Sequence, residues 1–350
     1  MPTLQDIANI AQCSKATVSL ALSNHPRISE STKSRIRKVA IELGYLQTEP
    51  DNDDVVASKQ TASRRSIGVL YIAEDSHKSI GQGFFRETLM SITQEASRSN
   101  SNVVIIEVKS VNGHITEDEL CEKVYNSGVD GVVVICFRKE LHGFNTLIDQ
   151  QFPIVFIGDH TIADRDVKLH TVMTNNHDGG KEATEYLLGL GHSRIALVTS
   201  PTSTERTNGY FSAMRTAGHS VSDEHTMIVS PPYEKNDGRL RMLEEQDFTA
   251  IFATTSLAGL MVLQHLRVIG KQIPDDLSLI VFDDSESFQI ESPPITVMKQ
   301  DLESLGTYAV KMLLDITDQL SPLPRRVAIS GRLIERASCR PLHTSYKAKR

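Results

Sequence analysis

From residue 67 onward the chain repeats one pattern, a short β-branched apolar run followed by a stretch with helical apolar spacing. The runs cover 67–72, 103–108, 131–135, 154–157, 195–198, 250–253 and 279–282. Helical stretches lie between them, among them 84–99, 180–190, 204–217 and 257–269. Strands apolar at every position, rather than at every second one, are buried on both faces, which is the signature of parallel sheets covered by helices. These units are too many for one compact sheet. The reading is therefore an α/β body of two similar, doubly wound lobes with a cleft between them. In such sheets a ligand sits where strand C-termini meet the cleft.

The first 47 residues follow a different rule and predict a small all-α domain. Leu4, Ile7, Ala8 and Ala11 share one helical face behind Thr3 as N-cap, with Asp6 at the third helical position. Ser14 caps a second helix whose inward residues are Val18, Ala21 and Leu22, and Ser29 caps a third, with Ile36, Val39, Ala40 and Leu43 on one face. Gly44 stops it. Only Gln12 and Cys13 separate the first two helices, which is the tight turn of a helix-turn-helix.

Charge divides along the same lines. The net charge of −7 argues against a nucleic-acid partner only if it is averaged over the chain. Residues 1–50 carry six Lys/Arg against four Asp/Glu, whereas the body after residue 66 carries 28 against 37. Phosphate attraction is thus confined to the head, although charge alone fits a random fluctuation as well. With Val18, Ala21 and Leu22 inward, Lys15, Ala16, Ser19 and Leu20 lie on the outer face near the helix N-terminus, the end that a recognition helix presents to the major groove. There Lys15 can reach guanine O6/N7, while Ala16 and Leu20 can touch only methyl groups such as that of thymine. The hydroxyls of Ser14, Thr17, Ser29 and Thr32 suit phosphate oxygens. A protein-docking module is the alternative that the pattern alone leaves standing.

Between 47 and 65 the apolar periodicity lapses into an acidic and hydroxyl-rich linker, with at most one short helix around 55–59. The expected domains are 1–47, a hinge at 48–66, the body at 67–340 and a basic tail at 341–350. The four cysteines, Cys13, Cys121, Cys136 and Cys339, form no C-x-x-C pair, which fits reduced thiols in a cytoplasmic protein rather than a disulfide frame or a zinc site. No metal and no cofactor are expected. No run of about 18 apolar residues exists to span a membrane.

Several motifs in order resemble one family. Thr3-Leu-Gln-Asp-Ile-Ala, Ser14-Lys-Ala-Thr-Val-Ser, Arg27-Ile-Ser-Glu-Ser-Thr and Glu42-Leu-Gly-Tyr resemble the head of LacI/GalR-family repressors. In the body the resemblance runs through Gly128-Val-Asp-Gly, Leu190-Gly-His-Ser-Arg, Arg206-Thr-Asn-Gly-Tyr, Ile273-Pro-Asp-Asp and Pro293-Pro-Ile-Thr-Val-Met-Lys-Gln-Asp-Leu. It implies a periplasmic-binding-protein-like body, a repressor acting as a homodimer on near-palindromic operator DNA, and a small-molecule effector, with carbohydrate the leading class. By the same resemblance Lys15, Ala16 and Leu20 read bases, and Ser14, Thr17, Arg27, Ser29 and Thr32 contact phosphate. Arg206 and Asp283 contact the effector, with Phe84, Thr255 and Gln300 at pocket positions.

Bland alternatives stand beside those roles. Arg206 can pair with a surface acid, and Asp283 or Asp284 can cap the following turn. His192 reads as a turn residue bonded to backbone.

Departures from the family pattern matter. Leu20 stands where many members carry Arg, Thr255-Ser256 replace Asn-Asp, Asn175-Asn176 replace Asp-Asn, and Val281 replaces Gly. These changes remove acceptors that grip polyols, which leaves a nucleoside, a phosphorylated metabolite or no ligand open beside a sugar. In the family a hinge leucine from each subunit wedges into the minor groove. Here the two possible registers place Asp54 or Lys59 at that position, and only Val55 and Val56 are apolar candidates.

Two other classes lack their sequence features. An enzyme would need a nucleotide or nucleophile motif, and no G-x-G-x-x-G, G-x-x-x-x-G-K-[ST] or G-x-S-x-G occurs. A solute-binding protein for uptake would need a signal peptide and no helix-turn-helix.

Overall fold

The computed structural model describes residues 2–22, 28–45, 64–74, 82–110, 115–136, 139–163, 165–220, 225–229, 238–319 and 323–342. The head is three helices, α1 (Leu4–Ala11), α2 (Lys15–Leu22) and α3 (Glu30–Glu42). They close on a small core of Ile7, Ala8, Ala11, Val18, Ala21, Ile36 and Ala40. The caps are the expected ones. The Thr3 hydroxyl accepts from the Asp6 N–H while Asp6 accepts from the Thr3 N–H at 2.8 Å, a reciprocal capping box. Ser14 Oγ accepts from the Thr17 N–H at 3.0 Å, and Ser29 Oγ from the Thr32 N–H at 3.3 Å. Gly44 takes a positive φ of 70° where the chain leaves α3, a conformation that favours glycine.

The body alternates as its sequence demands. In chain order it runs β1 (Arg65–Glu74), α4 (Gln82–Arg98), β2 (Ser101–Ser110), α5 (Glu117–Asn126), β3 (Gly131–Ile135), β4 (Glu140–Leu141), α6 (Asn145–Asp149), β5 (Ile154–Ile157), β6 (Thr161–Ile162) and β7 (Thr171–Thr174). It continues with α7 (Asn176–Gly189), β8 (Ile195–Thr199), α8 (Thr204–Thr216), β9 (Thr226–Ile228), α9 (Met242–Glu245), β10 (Ala250–Ala253), α10 (Ser256–Val268), β11 (Ser278–Phe282), α11 (Glu286–Ile290) and β12 (Thr296–Lys299). It ends with α12 (Leu302–Thr317), β13 (Arg326–Ile329) and β14 (Arg332–Ile334).

Two six-stranded sheets result, ordered β13-β7-β5-β3-β1-β2 and β14-β12-β11-β10-β8-β9. Every pairing within them is parallel except β12 with β14. Both faces of each sheet are covered. Along β3, Val132 and Val134 join one apolar layer while Val133 and Ile135 join the other. In the second sheet Ile251 and Ala253 face one layer, Ala250 and Phe252 the opposite one. This double burial is why the strands read as unbroken apolar runs.

The chain passes between the two sheets three times: from β7 into α7, from β12 into α12, and from β13 to β14. Helix α12 returns the chain to the first lobe, where Leu305, Ala309, Val310 and Leu313 pack on that lobe's core. The strands absent from the predicted runs are those whose pattern is mixed. Strand β13 alternates exposed and half-buried residues at the sheet edge, and β7 carries Thr at both ends.

Candidate functional site

At the head, Lys15 opens α2 with its side chain exposed, and Ala16, Ser19 and Leu20 are half-buried beside it, while Val18 and Ala21 are buried. The proposed reading face is therefore turned outward by the packing of its own helix. The hydroxyls of Ser14 and Thr17 lie 2.8 Å apart, as do those of Ser29 and Thr32, at the N-termini of α2 and α3. Arg27 lies outside the described residues, as do residues 48–63 of the linker, with Asp54, Val55, Val56 and Lys59, and residues 343–350 of the tail.

In the body, three residues that lie far apart in sequence converge. Arg206, in the first turn of α8, donates through Nη1 to Asp283 Oδ2 at 3.0 Å and to the Thr254 carbonyl at 2.7 Å, and through Nε to Asn176 Oδ1 at 2.8 Å. Gln300 Nε2 donates to the other Asp283 oxygen at 2.5 Å. The guanidinium also lies over the Phe282 ring, 3.7 Å from its centroid. Nη2 has no protein partner among the described residues, so one arm of the fork is left to offer. The Arg206 side chain is 12% exposed and that of Asp283 28%. An ion pair this enclosed holds its geometry better than one on the surface.

Local structure explains the convergence. Asp283 follows β11 with φ 77°, a left-handed conformation uncommon for a residue other than glycine, and its N–H is tied to the Met298 carbonyl at 2.9 Å. Arg206 reaches Asn176 because α7 and α8 cross with almost no gap. A Cβ on Gly180 would come within 2.3 Å of the Arg206 carbonyl oxygen, and one on Gly209 within 2.1 Å of that of His177. These two glycines and Phe282 stand at the site and were not among its predicted residues, whereas Asn176 belongs to the Asn175-Asn176 pair already noted as a departure from the family pattern. Their sequence signal is faint, since Gly179-Gly180 sits inside a helical stretch where glycine costs stability.

The remaining predicted residues sit differently. Thr255 spends its hydroxyl as N-cap of α10, accepting from the Ala258 N–H at 3.1 Å. Phe84 lies in the first turn of α4, packed against the core of the other lobe. Asp284, one residue past the site, pairs with Arg336 through two bonds of 2.9 and 2.8 Å and thus anchors the carboxyl-terminal segment rather than capping a turn. His192 is buried between Thr249 and the Arg340 carbonyl at 3.0 Å each, the turn role expected of it, and burial lowers its pKa. Among the described residues no group of three or more His, Cys, Asp and Glu side chains could hold a metal ion. No helix there is long and apolar enough to cross a membrane.

A helix-turn-helix head joined to two doubly wound lobes, with polar anchors gathered where the lobes meet, defines a class: ligand-responsive regulators built on a periplasmic-binding-protein-like body. The profile of the bacterial regulatory proteins of the lacI family matches residues 3–47, and that of the periplasmic binding protein-like domain matches residues 184–339. The chain thus carries a lacI-type DNA-binding head and a periplasmic-binding-protein-like body. It is 25% identical to the transcriptional regulator CelR of Thermobifida fusca over 344 residues, covering 96% of this chain and 98% of that one. Among solved structures, a CelR–cellobiose complex superposes with a TM-score of 0.66 at 24% identity, covering 97% of this chain and all of that one. The lac repressor dimer bound to operator does so with a TM-score of 0.61 at 19% identity, covering 97% of this chain and 99% of that one.

Proposed function

We propose that the chain is a transcription repressor that binds a near-palindromic operator as a homodimer, its affinity set by a small molecule held between the lobes. The observation that carries this reading is the joining, in one chain, of an outward-facing Lys15–Leu20 helix face to a cleft site built from Arg206, Asp283 and Gln300. One head offers three base-reading side chains, too few for adequate specificity without a second half-site. The lac repressor neighbour is a dimer on its operator.

For the effector, a neutral polyol suits the site best. The Arg206–Asp283 pair is internally neutral and offers the Nη2 donor beside a partly exposed carboxylate. The CelR neighbour was solved with cellobiose, which makes that disaccharide the first compound to try. The protein acts by binding rather than catalysis, as a cytoplasmic regulator. Its head spans 1–47, its hinge 48–66 and its effector-binding body 67–340, with a basic tail at 341–350.

Selection of bound sites from random DNA by the purified chain tests the reading. The expected product is one sequence with two related halves, bound by a species that sediments as a dimer. Failure to enrich any sequence overturns the proposal, and a single half-site bound by a monomer overturns its dimeric part.

A further inference from the structure

The polar cluster at the effector anchors is also a continuous tie between the lobes. Thr174 is the last residue of β7 in the first lobe, and its hydroxyl donates to Gln300 Oε1 at 2.5 Å. Gln300 stands on the second crossing, between β12 and α12, and the other half of its amide donates to Asp283 Oδ1 at 2.5 Å. Asp283 follows the β11 strand of the second lobe, and its remaining oxygen is held by Arg206. Arg206 Nε closes the circuit on Asn176, two residues beyond Thr174 on the first crossing. Beside it the Asn175 N–H donates to the Ile329 carbonyl at 2.8 Å, where the third crossing begins. All three crossings thus meet within one hydrogen-bonded unit.

Its two ends differ in access. Thr174 is 4% exposed and Gln300 9%, so neither can turn to water if its bond is lost. A buried donor or acceptor left unpaired is costly, and the cost falls on whatever arrangement leaves it so. Asp283, by contrast, keeps 28% of its side chain exposed. The Gln300 amide is also held one way round, because its oxygen toward Asp283 would face a carboxylate.

We propose that Gln300 is a latch between the lobes, and that an effector releases it by competing for Asp283. This rests on the reading of the cleft as the effector site. A ligand hydroxyl donating to Asp283 Oδ1 takes the acceptor that Gln300 Nε2 uses. Gln300 Nε2 then regains a partner, with the Thr174 bond to Oε1 kept, only if the first and second crossings shift together against β11, and the lobes shift with them. Binding energy at the cleft is so converted into a change of lobe arrangement, because the two arrangements differ in who holds Asp283.

The test needs no effector. Donor and acceptor dyes are placed through non-natural residues at exposed Glu122 on α5 and Ala217 after α8, and single-molecule transfer is recorded on the full-length chain. The wild type and Thr174→Ser, which keeps the hydroxyl, are expected to share one dominant lobe separation. Gln300→Ala, Gln300→Glu and Thr174→Val are expected to gain a second population. Affinity for the DNA recovered by selection shifts with it, by about five-fold or more. Thr174→Val preserves shape and decides the outcome if the Glu variant does not fold, as judged by loss of cooperative melting. An unchanged distribution in both Gln300→Ala and Thr174→Val overturns the latch. A chain that selects no DNA would overturn the regulatory reading while leaving the transfer measurement decisive for the latch.

Discussion

Arg206 and Lys15 are both cations on the first turn of a helix, yet the structure gives them opposite surroundings. Lys15 is exposed at the start of α2, and on the proposed reading its contribution is collected on DNA. Lys15→Ala is expected to cost about 1–3 kcal/mol of operator binding, concentrated at one base pair. Binding measured on a set of single-substituted operators checks this, and an equal loss on every sequence would demote Lys15 to a phosphate contact. Arg206 is spent on Asn176, Thr254 and Asp283, so its charge organises the site before any ligand arrives. Asp283→Asn tests that organisation. Asn tolerates the positive φ of 77° at this position, so the backbone is kept and only the charge is lost. The expected result in calorimetry is a loss on the order of 2 kcal/mol in effector binding, with the operator sequence preference unchanged. A normal effector response would remove Asp283 from the site. At this scale the sequence was informative for Arg206, Asp283 and Gln300, whose motifs place each at the edge of an element. It was silent on Phe282, and it pointed to Asn176 only through the Asn175-Asn176 departure, because the partners of Arg206 depend on which loops the topology brings side by side. Thr255 shows the reverse case, a cleft-edge hydroxyl occupied by its own helix cap.

Helices α7 and α8 form the element on which the site stands. Gly180 and Gly209 let their backbones touch, and the same crossing sets Arg206 beside Asn176. A methyl group has nowhere to go at Gly209, since the nearest atoms are the His177 carbonyl oxygen and the Lys181 amide nitrogen, both backbone. Gly209→Ala is therefore expected to push the helices apart, cost about 1–3 kcal/mol by overpacking and blunt the effector response. Thermal unfolding and ligand titration of the same variant check both effects, and an unaltered response would free the site from this crossing. Val281 stands where the family pattern has glycine, and a Cβ on the facing Gly259 of α10 would meet its methyls at 2.7 Å, so Gly259 leaves the room that Val281 fills. Core strands were legible because double burial makes them apolar throughout. Strands β7, β13 and β14 were not, because short edge or crossing strands carry mixed residues that resemble loops. Helix α12 has a plain apolar stripe, Leu305, Ala309, Val310 and Leu313, but its place in the first lobe follows only from the second crossing.

For the whole molecule the question is how a change between lobes reaches DNA. The body begins at β1, and Arg65, its first residue, is bound by Asp318 at the end of α12, with contacts of 3.1 and 2.5 Å. The same helix begins two residues after Gln300. A helix of 16 residues spans about 24 Å, so one rigid element joins the latch to the point where the linker enters. What the linker then does is set by its own sequence, which lies outside the described residues. Asp51, Asp53 and Asp54 would favour a helix N-terminus. Near a minor groove they would instead meet a strongly negative potential. Neither register offers a leucine to unstack a base step, and Val55 and Val56 have less surface to insert. We therefore expect modest operator bending and loose coupling between body and head. Replacing the three aspartates by asparagine removes three like charges from the DNA surface and should tighten operator binding, with a salt dependence that steepens to match. Bend angles measured by fluorescence transfer across the selected operator, for wild type, Val55→Ala and Val56→Ala, decide the matter. A small bend common to all three agrees with a linker that does not wedge. A large kink that either valine truncation abolishes would show that a wedge survives in a shifted register, and that the acidic cluster lies to one side of the groove rather than over it.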